Sequence, residues 1–428
     1  MIPRPNMRAR LANTDVHAIL IRVVAALVGS ILTLLVIYTH SVFSEPNAVN
    51  DASAAYTPAI KFSCDFVIGK DVTQVDGKAN PIAMEPGSTI CMEGGNRPSL
   101  VLRNFRGTAS HPIKFINKGD QVRIEGSREE YAGLRIEDSE HIWITGTGVD
   151  TKCGSAFPDA DQKCGIVITG GARGVVGIET GYIEIDHIEI SETSNVGMAV
   201  RHREDSSIDR STWTQHDTHL HHNFIHDTGT EGFYVGSSNY REGQDPLLEG
   251  VEINHNLLVR NGWDGIQVGS ATDDCIIHHN VVLEAGTENK DAQNSGIMNN
   301  PGSVCDIYNN LVVKSMNTGI YIQGNGGNRV FNNVIIQPGI EKDTDGDGIV
   351  VSKGTNEGRS IYLWNNTIIE PRRYGITFRN EMGDNNLIQD NVIIGSLAGD
   401  YERPETYINT NHDNVTVMDN LFVDKLDN

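Results

Sequence analysis

An asparagine that closes a short, alternating apolar stretch recurs along most of the chain. In its clearest copy, Asn280 follows Ile276–His279 and precedes Val281 and Val282. The copies are spaced within the range of about 20–50 residues that is typical of solenoids, propellers and other repeat proteins. The chain is therefore predicted to stack similar units around one long core. The asparagines of this column are Asn223, Asn256, Asn280, Asn310, Asn333, Asn366, Asn391 and Asn420.

Each unit also carries a second marker, a glycine followed by an apolar-x-apolar phrase. Such alternation indicates short β-strands with one side facing an interior, and nothing beyond the N-terminal segment keeps the period of an α-helix. The pattern predicts an all-β fold, a single-stranded parallel β-helix of about ten coils. The marker glycines are Gly133, Gly165, Gly197, Gly232, Gly265, Gly296, Gly319, Gly348 and Gly375.

The N-terminus has the composition of an export segment. Arg4, Arg8 and Arg10 precede the apolar run Val23–Tyr38, which is shorter than the about 20 residues of a spanning helix. It is either a cleaved signal peptide or a membrane anchor, formed as an apolar helix by about residues 17–43, and in both cases the rest is exported. The predicted organisation is residues 1–44 as signal or anchor, 45–58 as linker and 59–428 as β-helix.

The cysteines agree with export. Cys275 and Cys305 occupy the same place in consecutive units, so stacking brings them about 4.8 Å apart, within disulfide range. Buried free thiols are the alternative, but an exported chain favours disulfides. The predicted pairs are Cys153–Cys164, Cys275–Cys305 and Cys64–Cys91.

The chain is strongly acidic, with a formal net charge of -22 and a pI of about 5.0. No basic stripe of the kind that binds nucleic acid follows the first residues, so a nucleic-acid partner is excluded. A polyanionic substrate would need a local basic patch or a cation to offset this charge. We expect a monomer whose membrane contact, if any, is made by the N-terminal segment.

The Gly-Ile-x-Val phrases, the asparagine at the following turn and the opening PGSTICMEGG resemble the right-handed parallel β-helix superfamily, the pectate-lyase-like group. The resemblance covers about Gly87 to Val423. It implies a right-handed helix and, for many members, action on acidic polysaccharides as lyases, hydrolases or epimerases. A non-catalytic glycan-binding or envelope protein is the alternative, because fold alone does not settle function.

Outward positions of the glycine-marked strands carry aromatic, amide and arginine side chains. Because side chains alternate along a strand, the second and fourth residues after each glycine face outward. Aromatic rings stack on sugars and amides bind hydroxyls, although an ordinary solvated sheet face would look similar. The predicted substrate-binding residues of this set are Gln267, Asn300, Tyr321, Gln323 and Arg379. Trp263, next to Asp264, is predicted with them, and it could stack on a sugar or simply cover the turn.

Glu231 and Asp264 directly precede two marker glycines, so they should lie one coil apart. The pair could bind Ca²⁺, act as the acid and base of a hydrolase, or cap a turn. A lyase or epimerase of uronic-acid chains needs carboxylate neutralisation, a base and an acid. Arg201, or Ca²⁺ held by the acidic pair, would neutralise the carboxylate; His202 or His221 would be the base and Tyr234 the acid.

Two further groups could hold metals. The histidines of the position before the asparagine column could ligate a transition metal or stack without one; they are His222, His255 and His279. The run Asp343-Thr344-Asp345-Gly346-Asp347-Gly348 matches the first half of an EF-hand loop, but Gly354 stands where the bidentate Glu is needed. A Ca²⁺ turn through Asp343, Asp345 and Asp347 or an ion-free turn would fit.

Overall fold

The computed structural model describes residues 58–79, 84–154, 162–203, 208–243, 245–323, 326–340, 345–353, 359–395, 407–410 and 413–423. These residues form strands and turns, with a single 3-10 turn at Tyr240–Glu242 and no α-helix among them. The predicted N-terminal apolar helix lies outside the described residues. No helix among those described is long and apolar enough to cross a membrane.

The first strands, in chain order, are β1 Phe66–Ile68, β2 Gln74–Asp76, β3 Thr89–Arg97, β4 Leu100–Arg103, β5 Ile113–Gly126, β6 Leu134–Glu137, β7 Glu140–Thr145, β8 Ile166–Gly170, β9 Val175–Ile178, β10 Gly181–Asp186, β11 Ile188–Ser191, β12 Met198–Arg201, β13 Thr214–His221, β14 Phe224–His226, β15 Phe233–Gly236, β16 Leu247–Asn254, β17 Leu257–Val259 and β18 Ile266–Gly269. The remaining strands are β19 Ala271–His278, β20 Val281–Leu283, β21 Ile297–Asn299, β22 Cys305–Tyr308, β23 Leu311–Val313, β24 Ile320–Ile322, β25 Arg329–Phe331, β26 Val334–Ile336, β27 Ile349–Val351, β28 Tyr362–Trp364, β29 Thr367–Ile369, β30 Ile376–Phe378, β31 Asn386–Gln389, β32 Val392–Ile394, β33 Ile408–Asn409, β34 Val415–Met418 and β35 Leu421–Val423.

The strands pair in parallel, coil on coil, in a 12-stranded and a 23-stranded sheet. The 12-stranded sheet takes one strand from each coil, whereas the larger sheet has two faces, joined because the long strand β5 pairs with both β7 and β8. This confirms the parallel β-helix. The twelve strands of the smaller sheet correspond to twelve coils among the described residues, more than the ten expected. The additional coils were missed because β2, β4 and β33 are not preceded by a marker glycine; they follow Thr73, Ser99 and Tyr407.

One marker glycine was assigned to the wrong face. Gly165 precedes β8, which belongs to the 23-stranded sheet. The equivalent glycine of that coil is Gly174, whose N–H bonds the carbonyl of Val196 at the next marker. Gly165 instead lies where the chain enters β8, against the carbonyl of Gly146, so this glycine-apolar phrase falls on another side of the helix.

The marker glycine is required where consecutive coils touch. A Cβ on Gly232 would lie 2.6 Å from the carbonyl oxygen of Gly265 and 2.5 Å from the Leu258 side chain. The next inward residue, Phe233, is fully buried and pairs in register with Ile266. Inward residues of this kind form one continuous core along the helix axis, and their outward neighbours are available for function.

The asparagine column forms the predicted amide ladder. Asn280 Oδ1 accepts from the backbone N–H of Asn256 at 3.1 Å and from its Nδ2 at 3.0 Å. Asn280 Nδ2 donates to the carbonyl of Ile253 at 2.8 Å and to Asn310 Oδ1 at 3.0 Å. Since Asn256, Asn280 and Asn310 are almost fully buried, these side chains replace water inside the turn.

All three predicted disulfides are present, with Cα–Cα distances of 4.8 Å for Cys153–Cys164, 4.5 Å for Cys275–Cys305 and 5.6 Å for Cys64–Cys91. The alternative of buried free thiols is therefore wrong. Three disulfides indicate folding in an oxidising compartment outside the cytoplasm.

Candidate functional site

Three predicted side chains converge on Ser238, in the loop that follows β15. Gln267 Nε2 donates to Ser238 Oγ at 3.1 Å and Asn300 Nδ2 donates at 2.9 Å. Tyr234 Oη lies 3.1 Å from the same oxygen. Because the two amides fill the acceptor positions of Ser238, its own hydrogen is directed to Tyr234, which leaves the phenol hydrogen for another partner. We call these four residues the Ser238 cluster.

Arg201 adds a positive charge beside the Ser238 cluster. Its guanidinium carbon lies 4.9 Å from the centre of the Tyr234 ring, a cation–π distance. Arg201 also acts on Glu231, which is 4% exposed. Burial raises the pKa of the Glu231 carboxyl, and hydrogen bonds and the charge of Arg201 oppose that rise.

Asp264 lies one coil from Glu231, as predicted, but fully buried. Its Oδ1 accepts from the backbone N–H of Ser295 at 2.7 Å, and burial together with Glu231 raises the pKa of its carboxyl well above the usual value. Asp347 makes the same bond three coils further on, to the N–H of Tyr374 at 3.1 Å. This repetition identifies a turn-capping function for Asp264.

The loop that carries Ser238 is held down at several points. Asp245 Oδ1 lies 3.5 Å from His202 Nε2, and Asp245 Oδ2 accepts from the N–H of Asn239 at 2.8 Å. Arg210 donates to the carbonyl of Tyr240 at 2.7 Å and stacks on its ring at 4.6 Å. His202 is thereby linked to the same loop as Ser238.

The other residues predicted on this sheet lie outside the Ser238 cluster. The register places Met298 beside Gln267 and Tyr321 beside Met298, so Tyr321 is three coils from Tyr234. Further members of the predicted groove are spread along the helix axis: Trp263 at a turn, with Lys290 Nζ 5.8 Å from its ring, Gln323 after β24, and Arg379 after β30.

The predicted calcium turn is only partly described. Asp343 lies outside the described residues. Asp345 and Asp347 both bind the guanidinium of Arg373, at 2.6 Å and 2.8 Å respectively. Arg373 therefore supplies positive charge at this turn, and calcium binding stays a prediction.

His221 lies on a different face from Tyr234, on β13 of the larger sheet. Its Nε2 is 3.1 Å from Glu184 Oε1 and 3.8 Å from Asp186 Oδ2, both one coil earlier. The His219 ring centre lies 4.3 Å from that of His221. Donor atoms of Glu184, His219 and His221 all fall within 4.8 Å of one another. We call these three residues the imidazole–carboxylate cluster.

A second set of histidines packs against His221 of the imidazole–carboxylate cluster. His221 Nδ1 lies 2.8 Å from His222 Nδ1, and the ring of His222 stacks on that of His255 at 5.1 Å. His255 stacks in turn on His279 at 5.0 Å, and His187 extends the column. Burial, with the neighbouring imidazoles, lowers the pKa of His222 to about 3, so this ring is neutral at pH 7. The predicted column of His222, His255 and His279 therefore stacks ring on ring. The donor atoms that could hold a metal belong instead to the adjacent imidazole–carboxylate cluster.

Sequence reasoning missed Ser238, Glu184 and His219. Ser238 lies in an insertion with no repeat pattern, so only the position of the 236–248 insertion could have indicated it. Glu184 and His221 are 37 residues apart, and their contact follows only from the register that pairs Asp186 with His221.

A sequence profile described as "Periplasmic copper-binding protein (NosD)" matches residues 163–357, a range that contains both clusters. Comparison with the curated proteins finds no match. Among solved structures, a lacto-N-biosidase from Eubacterium ramulus superposes with a TM-score of 0.51 at 12% identity, over 84% of this chain and 68% of that one.

Two further solved structures align less closely. An alginate lyase from Paenibacillus sp. str. FPU-7 gives a TM-score of 0.44 at 15% identity, over 82% of this chain and 99% of that one. A mannuronan C-5 epimerase module from Azotobacter vinelandii gives 0.39 at 16% identity, over 78% and 91%. At 12% identity, the superposition with the lacto-N-biosidase shows a likeness of fold alone.

Proposed function

We propose that this is an exported polysaccharide-active protein that abstracts the proton next to the carboxylate of a uronic-acid unit, as a lyase or epimerase, at the Ser238 cluster. The observation that carries the proposal is the stack of Arg201 on Tyr234, at 4.9 Å, beside amides that are already oriented. It supplies a local positive charge in a chain with a net charge of -22, which a uronate would require.

Each residue has a defined task in this chemistry. Arg201 binds the uronate carboxylate and stabilises the charge that develops when the C5 proton leaves. His202, held by Asp245, accepts that proton. In elimination, the C5–H electron pair forms the C4–C5 double bond while the bond from C4 to the glycosidic oxygen breaks, and Tyr234 protonates the departing oxygen. In epimerisation, Tyr234 returns a proton to C5 from the opposite side.

A panel of uronic-acid polymers, assayed with and without chelator, tests this function. Elimination produces an unsaturated sugar that absorbs in the near ultraviolet, and epimerisation incorporates solvent deuterium at C5 without cleavage. Tyr234→Phe should lower turnover about 10²–10⁴-fold, whereas Tyr362→Phe, a half-exposed tyrosine on β28, should leave it unchanged.

The outcomes separate the alternatives. Saturated products would indicate hydrolysis, for which Asp264 is poorly placed because it is fully buried. Retention of a glycan without any product would indicate a binding protein. Equal activity of Tyr234→Phe and Tyr362→Phe would refute the assignment of Tyr234. Loss of activity with chelator alone would favour a calcium ion as the group that neutralises the carboxylate.

Copper binding is a second candidate function. The matching profile bears that description, and the specific observation is the convergence of Glu184, His219 and His221. Imidazoles with a carboxylate are suitable ligands for copper or zinc, and a second imidazole at His221 Nδ1 would orient the first. The donor set therefore fits a copper ion held by these three residues.

Calorimetric and paramagnetic-resonance titration with Cu²⁺ tests this candidate. His221→Asn should abolish the tightest site, while His111→Asn, at an exposed histidine outside the cluster, should retain it. If both variants bind Cu²⁺ as the wild type does, the imidazole–carboxylate cluster is not a copper site.

A further inference from the structure

A cleft opens on the larger sheet at the start of β7, β10 and β13, and neither proposed function uses it. It has a volume of about 500 Å³. This is within the range of sites that take a small ligand, which is about 300–1,000 Å³. Its lining combines Glu140, Tyr182, Arg210 and Trp213 with the short polar residues on either side of the tryptophan.

Aromatic side chains dominate the chemistry of the cleft. The Tyr182 ring is fixed between His141 and His216, at centroid distances of 4.1 and 5.5 Å. Its hydroxyl makes no hydrogen bond to any described residue. Trp213 is half-buried, and its indole makes no ring, cation or hydrogen-bond contact within the described part of the chain. The cleft thus contains one aromatic face and one phenol without a partner, which suits a ligand with both apolar and hydroxyl surfaces.

Hydrogen bonds within residues 209–213 and to a neighbouring loop hold the backbone that presents Trp213. Asp209 accepts from the backbone N–H of Trp213 at 3.0 Å through its carbonyl, and from Ser211 Oγ at 2.6 Å through Oδ1. Arg210 ties this loop to the carbonyl of Tyr240 at 2.7 Å. Because the backbone that carries Trp213 is already held, a ligand that stacks on the indole has only its side chain to order.

The charges of the cleft lining are balanced. Glu140 contributes a carboxylate, whose Oε2 lies 4.0 Å from Arg106 Nε. Arg210 contributes a guanidinium, which donates to the carbonyls of Tyr240 and Asp245. The lining therefore has no excess of positive charge for a uronate, whereas an uncharged sugar would find hydrogen-bond acceptors.

We propose that this cleft binds a neutral pyranose, which stacks on Trp213 and exchanges hydrogen bonds with the Tyr182 hydroxyl and the Glu140 carboxylate. The inference is independent of the uronate chemistry at Tyr234. It gives the protein a second carbohydrate site that does not require a negative charge on the sugar, on another face of the helix. A glycan that carries both neutral and acidic units would satisfy both sites.

Calorimetry and tryptophan fluorescence with neutral gluco-, manno- and galacto-oligosaccharides, and with oligouronates as the charged probe, test the proposal. At least one neutral series should bind saturably, and Trp213→Ala should weaken it by about tenfold or more. Trp213→Phe should keep most of the affinity, which guards against a folding defect. Tyr362→Ala, far along the same sheet, should bind as the wild type does.

Binding should also persist in Tyr234→Phe, so that failure of the uronate chemistry and failure of this site are distinguishable. Three results would overturn the inference: no neutral oligosaccharide binds, oligouronates compete for the cleft as well as neutral ones do, or Trp213→Ala binds like the wild type.

Discussion

Replacing one rung of the amide ladder should destabilise the protein far more than its size suggests. In Asn280→Ala the backbone N–H of Asn256 loses its acceptor, which lies 3.1 Å away. The carbonyl of Ile253 loses its donor at 2.8 Å. Both partners lie in the buried turn, and a buried polar group left without a hydrogen bond costs about 1–3 kcal/mol. The expected loss is therefore about 2–6 kcal/mol, toward the lower end if water enters the space.

Equilibrium unfolding in urea measures the total loss, and native-state hydrogen exchange locates it. A local loss of about 4 kcal/mol should accelerate exchange of the Asn256 amide by about three orders of magnitude. Asn385→Ala removes an exposed asparagine and should change stability by less than about 0.5 kcal/mol.

Asn280→Asp separates the accepting and donating parts of the side chain. It keeps an acceptor for Asn256 but places a carboxylate against the oxygens of Ile253 and Asn310. The folded-state pKa of this carboxyl should rise above its unfolded value, so its stability relative to wild type should fall as pH increases from about 4 to 7. A loss below about 1 kcal/mol for Asn280→Ala, with unchanged protection of Asn256, would refute the ladder argument.

Two further perturbations test other parts of the fold. Substituting Ser for both Cys275 and Cys305 opens a loop of 30 residues and should cost about 3–4 kcal/mol in urea unfolding; an unchanged midpoint would contradict this. Gly302→Ala should displace the Tyr240 loop, because a Cβ there would lie 2.3 Å from the Tyr240 ring and φ is +89°. It should lower turnover at the Ser238 cluster with little change in melting temperature; unaltered turnover would contradict it.

The architecture could be predicted because the same sequence pattern recurs in each coil. The place of Asn280 within its unit predicted the ladder, and the shared place of Cys275 and Cys305 predicted a disulfide across coils. Repetition makes such predictions reliable, since the same local pattern must satisfy the same backbone geometry many times. The exception, Gly165, precedes β8 of the larger sheet, so the same local phrase occurs there on another face.

The candidate sites were less predictable because they depend on what does not repeat. Tyr234 and Gln267 were expected to face outward together, but Ser238, which connects them, belongs to an insertion of one coil. His221 was expected to act beside Tyr234, and it lies on another sheet beside Glu184. Which face a residue occupies depends on turn lengths, and these vary from coil to coil without a sequence signal that fixes them.

The disulfide between Cys275 and Cys305 has a mechanical consequence. A force applied to the ends of a stack that is held coil by coil would peel one coil after another, and each would lengthen the tether. Cys275 and Cys305, however, are 30 residues apart in sequence and joined by a covalent bond. The forces that detach one coil from the next are too small to break that bond. This bond alone shortens the extended chain by about 100 Å. A single-molecule pulling experiment would therefore measure a smaller total extension for the protein with this disulfide than for the protein without it.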